Sequence, residues 1–413
     1  MALPSDRIDL IHNFVKEGID LQRERIETES DPFWKALCLA GSELWLDTGD
    51  IDAATALWTK EFTALTTNNT LLNAEVQKGI YDDLIQKAVG VLTGLDIQTQ
   101  IIEIAFILNA RHGLRLAQRF GGKVSVELHT ILAHDIERSV SYGQRYYEIC
   151  PEHFIIKVPL TPSGLIAMRR LREDGVPVNF TLGFSARHNY VATAFGAPSY
   201  VNVFLGRLNS YIADHQLGDG KLVGEKAVLA SRRVVKHLSQ GNREPTLQIA
   251  ASLRTADQLP YLAGIDVFTM PVNVAAAAKQ ELSGTWESSI ENEYTVHLND
   301  GITESDLRTD TLWEISESDQ RLTDSLTTDV PQTADEIVNR AHDMGAGDLF
   351  PKLSDAELAQ IADDGKIPKH EIWGDRIKSG ELAIDTLLNL AGLASFESDQ
   401  QELDDRIEKL IAR

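Results

Sequence analysis

The chain has 413 residues, with 62 acidic against 39 basic side chains and a formal net charge of −23. About 43% of residues are apolar and 24% charged, which excludes a disordered or fibrous chain, and the acidity argues against a nucleic-acid partner, because phosphate backbones are gripped by clustered Lys and Arg. Two cysteines (Cys38, Cys150), no apolar run near the ~18 residues of a membrane helix and no basic or apolar leader region predict a cytosolic protein with neither disulfide scaffold nor membrane span.

From the N-terminus, residues 5–42 read as helical, with Ile8, Leu10, Ile11, Phe14 and Val15 at helical spacing among charges. Eight short runs rich in β-branched residues follow, at 44–47, 62–68, 124–129, 154–158, 178–182, 200–204, 247–251 and 265–269. Helical patterns lie between most of them, including 162–173, 187–195 and 224–240. Eight strands alternating with helices predict a parallel sheet, and eight is the number that closes a (β/α)8 TIM barrel. Two connections are irregular: the second to third leaves room for two or more helices, and the last is near the shortest crossover a parallel pair allows.

After an alanine-rich helix at 274–282, the tract 285–331 carries 12 Asp/Glu against two Arg and no Lys. It also carries Trp286, Tyr294, Val296, Leu298, Leu312 and Trp313, so it is expected to pack, either on the barrel or on a partner subunit, and the second possibility suggests a homodimer. Helical patterns return at 334–342, 354–363, 380–393 and 400–411. The expected organisation is an N-terminal helical segment (1–42), a barrel (43–283) and an acidic, mostly helical C-terminal extension (284–413).

Reactive groups in such barrels sit where strands end. Lys157 stands inside an apolar strand, and burial of an ammonium is costly unless it is paired. A desolvated amine can attack a carbonyl and form a Schiff base; a salt-bridged or snorkelling core lysine is the alternative. Asp47 ends the first strand, Ser125 and Glu127 share one face of the third, and Asn179 and Thr181 share one face of the fifth. Asp47, Glu127, Lys157 and Thr181 are therefore expected to converge inside the barrel, supplying a nucleophile and proton-transfer groups. Arg207 follows the sixth strand just after Gly206, and Arg254 follows the seventh with Ser252 beside it. Two arginines and a hydroxyl suit a phosphate clamp; two surface salt bridges are the alternative.

At these positions the chain resembles the transaldolase family, over roughly residues 44–282. The carrying segments are Leu44-Trp45-Leu46-Asp47, Thr66-Thr67-Asn68, Phe154-Ile155-Ile156-Lys157-Val158-Pro159, Asn179-Phe180-Thr181-Leu182, Phe204-Leu205-Gly206-Arg207 and Ala251-Ser252-Leu253-Arg254, in the family's order. The resemblance implies Lys157 as the Schiff-base lysine. It implies Asp47 as the base that takes the donor's C4-hydroxyl proton, and Glu127 with Thr181 as holders of a proton-carrying water. Asn68 and Asn179 would hydrogen-bond the dihydroxyacetone unit, with Ser125, Asn202 and Phe204 as further substrate contacts. Arg207, Ser252 and Arg254 would grip the phosphate. No metal or organic cofactor is implied, because the lysine iminium is itself the electron sink.

The implied activity is transfer of dihydroxyacetone from sedoheptulose 7-phosphate or fructose 6-phosphate to an aldose phosphate, in the pentose phosphate pathway. Departures from the family pattern are Asn69-Thr70 where the family has Pro-Ser, which suggests another path after the second strand, and Asn202 where ordinary transaldolases carry Ser. Phe204 is the transaldolase-type residue, whereas relatives that release free dihydroxyacetone carry Tyr there. The resemblance further implies a C-terminal helix over the barrel mouth, for which 300–314 is the expected segment. Open alternatives are another donor such as a sulfosugar, a free aldolase, and a non-catalytic barrel that binds a protein.

Overall fold

Each of the eight apolar runs becomes a parallel strand: β1 (Glu43–Asp47), β2 (Phe62–Thr66), β3 (Lys123–Glu127), β4 (Phe154–Pro159), β5 (Val178–Thr181), β6 (Tyr200–Phe204), β7 (Leu247–Ala251) and β8 (Val267–Pro271). They close in sequence order, with β8 pairing back onto β1, into a (β/α)8 barrel. The computed structural model describes residues 3–23 and 25–412; Met1, Ala2, Glu24 and Arg413, which fall in the terminal segments assigned above, lie outside the described residues. Strands covered on both sides need continuous apolar sequence. All six residues of β4 are accordingly buried, Lys157 among them.

Both irregular connections are genuine. The β2–β3 crossover holds three helices, Asn69–Gln77, Asp82–Val91 and Ile97–Phe120, and the β7–β8 crossover only the short helix Gln258–Leu262. β8 begins two residues later than its predicted run. Ile265 still donates its N–H to Leu262 O (2.9 Å), and Asp266 is held by Arg232 (2.8 Å), so pairing starts at Val267.

The N-terminal segment forms two helices rather than one continuous helical stretch, Ser5–Lys16 and Pro32–Leu39. Gly18, at φ 72°, follows the first, and Asp31 caps the second by accepting from Phe33 N, with Pro32 at the first helical position, where its missing N–H costs nothing. Arg111 donates to Val15 O (2.7 Å) and fixes the first helix against Ile97–Phe120.

The acidic tract lies on the chain's own barrel. Trp286 meets the Phe33 ring edge-on (5.3 Å), Tyr294 donates to Tyr261 O (2.7 Å), and Lys226 Nζ sits 3.8 Å from the centre of the Trp313 ring. The aromatic residues of this tract thus pack, half-buried, against their own chain.

Two predicted helices, 380–393 and 400–411, are one 28-residue helix, Ile384–Ile411. The polar stretch from Ser395 to Asp399 contains no Gly or Pro and does not interrupt it. Gly380 instead ends the preceding helix, His370–Ser379, in the left-handed conformation. It is this long helix, not 300–314, that lies across the barrel mouth. Asn389 donates to Leu160 O (3.1 Å) and Leu182 O (2.9 Å) beyond β4 and β5, and Arg406 pairs with Asp82 (2.7 Å).

The start of this long helix is locked by a buried ionic cluster. Arg187 makes a two-pronged contact with Asp385 (2.8 and 2.9 Å), reaches Asp348 (3.0 Å), and has Asp319 at 3.9 Å. Arg308 adds a second contact to Asp348 (2.9 Å). One barrel arginine therefore ties down three separate stretches of the extension. Among the described residues, no helix is long and apolar enough to cross a membrane.

Candidate active site

The C-terminal ends of the strands surround a cavity of about 270 Å³, roofed by Phe396 of the long helix. Strand register explains why its groups meet. Glu127 pairs with Lys157 across β3–β4, and Lys157 with Asn179 across β4–β5, so all three share one face. Asp47, opposite Thr66 on β2, projects toward the same space.

Lys157 is 5% exposed, so its ammonium must find partners inside the protein. It donates to Thr67 O (3.3 Å), faces Glu127 Oε1 at 3.9 Å, and lies 5.9 Å from the centre of the Phe396 ring. Glu127 Oε2 also accepts from Asn69 N (3.1 Å) at the start of the following helix. Burial pushes the Glu127 carboxyl above the usual carboxylate range, against the opposing pull of Lys157 and the Asn69 N–H. Asp47 is likewise pushed up by burial, opposed by Lys157 and by the Thr66 hydroxyl, which donates to it at 2.6 Å. The result is an amine beside two carboxyl groups that burial makes ready to accept protons.

Asn68 caps helix Asn69–Gln77, its Oδ1 accepting from Leu71 N (2.8 Å), which leaves its amide N–H groups toward the cavity. The two residues that depart from the family pattern make the first turn of that helix: Asn69 reaches Glu127, and the Thr70 hydroxyl donates to Asp399 of the long helix. Asn202 donates to Asn179 Oδ1 (3.1 Å) and Phe180 O (3.2 Å), while Asn179 donates to Ser125 Oγ (3.1 Å). Asn202 thus orients Asn179. The Thr181 hydroxyl is buried at the cavity wall and has no hydrogen-bond partner among the described residues.

The rim is cationic. Arg207 stands in the first turn of helix Leu205–Asp214, between the rings of Phe204 (5.6 Å) and Phe396 (5.9 Å). Burial, and then repulsion from Arg254, pull its guanidinium down to about 10, and its Nη1 is buried without a partner. Arg254 is exposed at the same rim, and Ser252 holds a left-handed backbone conformation (φ 63°) just past β7. A Cβ on Gly206 would stand 2.2 Å from Ser252 O, so only glycine lets these two strand ends meet.

Of the residues picked out in the sequence, Asp47, Asn68, Lys157, Asn179, Thr181, Asn202, Phe204, Arg207, Ser252 and Arg254 line the cavity. Glu127 and Ser125 are not among the lining residues: Glu127 stands against the ammonium and Ser125 accepts a hydrogen bond from Asn179. Thr269, whose hydroxyl is 2.7 Å from that of Thr66, Phe396 and Lys366 also line the cavity and belong to none of the segments that carry the family resemblance.

Residues 44–328 match the family described as Transaldolase/Fructose-6-phosphate aldolase. The chain is 30% identical over 233 residues to a transaldolase of Xanthomonas euvesicatoria pv. vesicatoria, covering 54% of this chain and 71% of that protein. It is 33% identical over 193 residues to a probable transaldolase of Thermus thermophilus, covering 44% of this chain and 78% of that one.

Proposed function

The chain belongs to the transaldolase/fructose-6-phosphate aldolase family, and on that premise we propose that it transfers a dihydroxyacetone unit, through a Schiff base on Lys157, from a ketose phosphate such as fructose 6-phosphate or sedoheptulose 7-phosphate to an aldose phosphate. The observation that carries this is a buried amine set 3.9 Å from Glu127, inside a cavity whose rim is cationic.

In the first half-reaction Lys157 Nζ adds to the ketose C2 carbonyl, and loss of water leaves an iminium. Glu127 and Thr181 hold the water that takes and returns these protons. Asp47 removes the C4-hydroxyl proton, the C3–C4 bond breaks, its electrons enter the iminium, and the shortened aldose departs. The second half runs the same steps backward onto an acceptor aldose. Asn179, aligned by Asn202 and Ser125, and the Asn68 amide bind the dihydroxyacetone hydroxyls, while Arg207, Ser252 and Arg254 take the phosphate.

Phe204 favours transfer over simple cleavage, because its ring packs on Phe184 (5.5 Å) and Arg207 and offers no hydroxyl to orient a hydrolytic water. With fructose 6-phosphate and no acceptor, glyceraldehyde 3-phosphate should appear in a single burst and then stop. Adding erythrose 4-phosphate should start turnover. Continued release of free dihydroxyacetone without acceptor would instead identify a free aldolase. Borohydride added during the burst should leave a reduced three-carbon adduct on the peptide containing Lys157.

Asp47 acts ionised, and burial raises its pKa, so kcat/KM should fall on the acid side at a pH above the ~3.9 of an ordinary aspartate. A pH profile with no loss of activity until below that value would remove Asp47 from the base role. Arg254→Ala should raise KM for phosphorylated donors about ten-fold or more while leaving unphosphorylated ketoses nearly unchanged. Steady-state kinetics on a phosphorylated and unphosphorylated pair checks this, and an equal effect on both refutes the clamp.

A further inference from the structure

We propose that Lys366 is a third cation of the substrate-anion site, a specificity-determining residue that the C-terminal extension delivers to the barrel mouth for a terminal phosphate dianion. The proposal rests on the transfer reading above and deepens it.

Lys366 lines the same cavity as Arg207 and Arg254. It lies beyond residue 328, where the family match ends, so it is a feature of the extension. The chain carries 62 acidic and 39 basic side chains, and a cation with no carboxylate partner stays available to an anion. Among the described residues these three have none within ion-pairing distance, although Asp399 is close enough to act on Arg207 electrostatically. Three cations left open around one concave site, on a protein of net charge −23, form a local positive field where an approaching dianion is otherwise repelled.

The backbone that carries the lysine is held in place. Gly365, which ends helix Asp355–Asp364, has φ 79° and ψ −156°, a conformation essentially restricted to glycine, and it turns the chain sharply just before Lys366. Two residues later His215 Nε2 hydrogen-bonds Pro368 O (2.8 Å), and the Tyr211 hydroxyl meets His370 Nδ1 (2.8 Å). The buried Asp364 carboxylate accepts from Trp373 Nε1 (2.8 Å). Tyr211 and His215 belong to the helix whose first turn holds Arg207, with His215 as its C-cap. Arg207 and Lys366 are therefore registered to one rigid element. A phosphate dianion presents three oxygens; a buried guanidinium, an exposed guanidinium and an exposed ammonium lining one cavity supply donors for all of them.

The test uses the full chain and its Lys366→Met and Lys366→Arg variants, with two readouts. In titration calorimetry with inorganic phosphate, Lys366→Met should weaken binding about ten-fold and Lys366→Arg should recover most of it. In steady-state assays Lys366→Met should raise KM for fructose 6-phosphate about ten-fold with kcat unchanged, because a phosphate contact is the same in ground and transition states. KM for unphosphorylated fructose should not move, and the gap between variant and parent should narrow at ~0.5 M salt, where exposed charges are screened. Unchanged phosphate affinity, or equal KM shifts on the two sugars, overturns the proposal even if the enzyme turns over normally. Failure of the parent protein to form any ketose adduct overturns the transfer reading instead, and leaves the phosphate titration to decide the role of Lys366.

Discussion

Lys157→Met is expected to abolish covalent trapping of any ketose and to reduce dihydroxyacetone transfer by on the order of 10⁴-fold or more, to background. No second buried amine lines the cavity, because its other cations are two guanidiniums and the exposed Lys366. The fold should survive. Methionine fills nearly the same volume, and the Glu127 carboxyl left facing it is already pushed toward its neutral form by burial. The melting temperature should therefore change by only a few degrees, in either direction, since active-site charges held for chemistry commonly cost stability. Residual transfer in a clean preparation, with no adduct on the parent enzyme's Lys157 peptide, would defeat the Schiff-base mechanism.

The second large effect falls far from the chemistry. Arg187→Met should destabilise the long helix Ile384–Ile411 by about 3–5 kcal/mol, because it leaves Asp385, Asp348 and Asp319 buried around a vacated cation. Arg187→Lys should rescue little, since an ammonium cannot reproduce the two-pronged contact with Asp385. Amide hydrogen exchange should quicken across Ile384–Ile411 well before the barrel strands respond, and kcat/KM should fall as Phe396 loses its seat over the cavity. Exchange in that helix unchanged from the parent protein would refute the clasp. Acid acts on the same contacts with a definite sign. Burial alone would raise the Asp385 pKa, but Arg187 and His188 hold it well below the usual carboxylate range. Its contribution to stability is therefore complete above the ordinary aspartate pKa of ~3.9 and disappears as pH falls through the lowered value.

Much of the barrel is legible in the sequence because parallel strands buried on both faces must be apolar, and few other elements write five or six such residues between polar turns. Lys157 is legible for the same reason, as the one charge in β4. Asp47, Thr181, Arg207 and Arg254 follow from the rule that barrels place reactive groups at strand ends. What is hidden has tertiary causes. Phe396 sits in a polar stretch that reads as a gap between two helices, and only the cavity beneath explains an aromatic there. Lys366 looks like any surface lysine until Gly365 and His215 are seen to aim its loop. Ser125 shares a strand face with Glu127, so periodicity cannot reveal that Asn179 stands in front of it. The β8 shift arises because Ile265 and Asp266, though they directly precede the strand, are already committed to a turn and to Arg232.

The long helix also has a history along the chain. Its contacts with the β2–β3 crossover, Thr70 with Asp399 and Arg406 with Asp82, join residues 329 and 324 positions apart. Contacts of such separation carry a heavy loop-closure entropy and form late. During synthesis the barrel and its lysine are complete more than a hundred residues before Phe396 emerges to cover them. Until that helix docks, the cavity lacks the Phe396 part of its lining. Covering of the cavity is then a matter of timing, complete only when the last helix arrives and Arg187 pairs with Asp385.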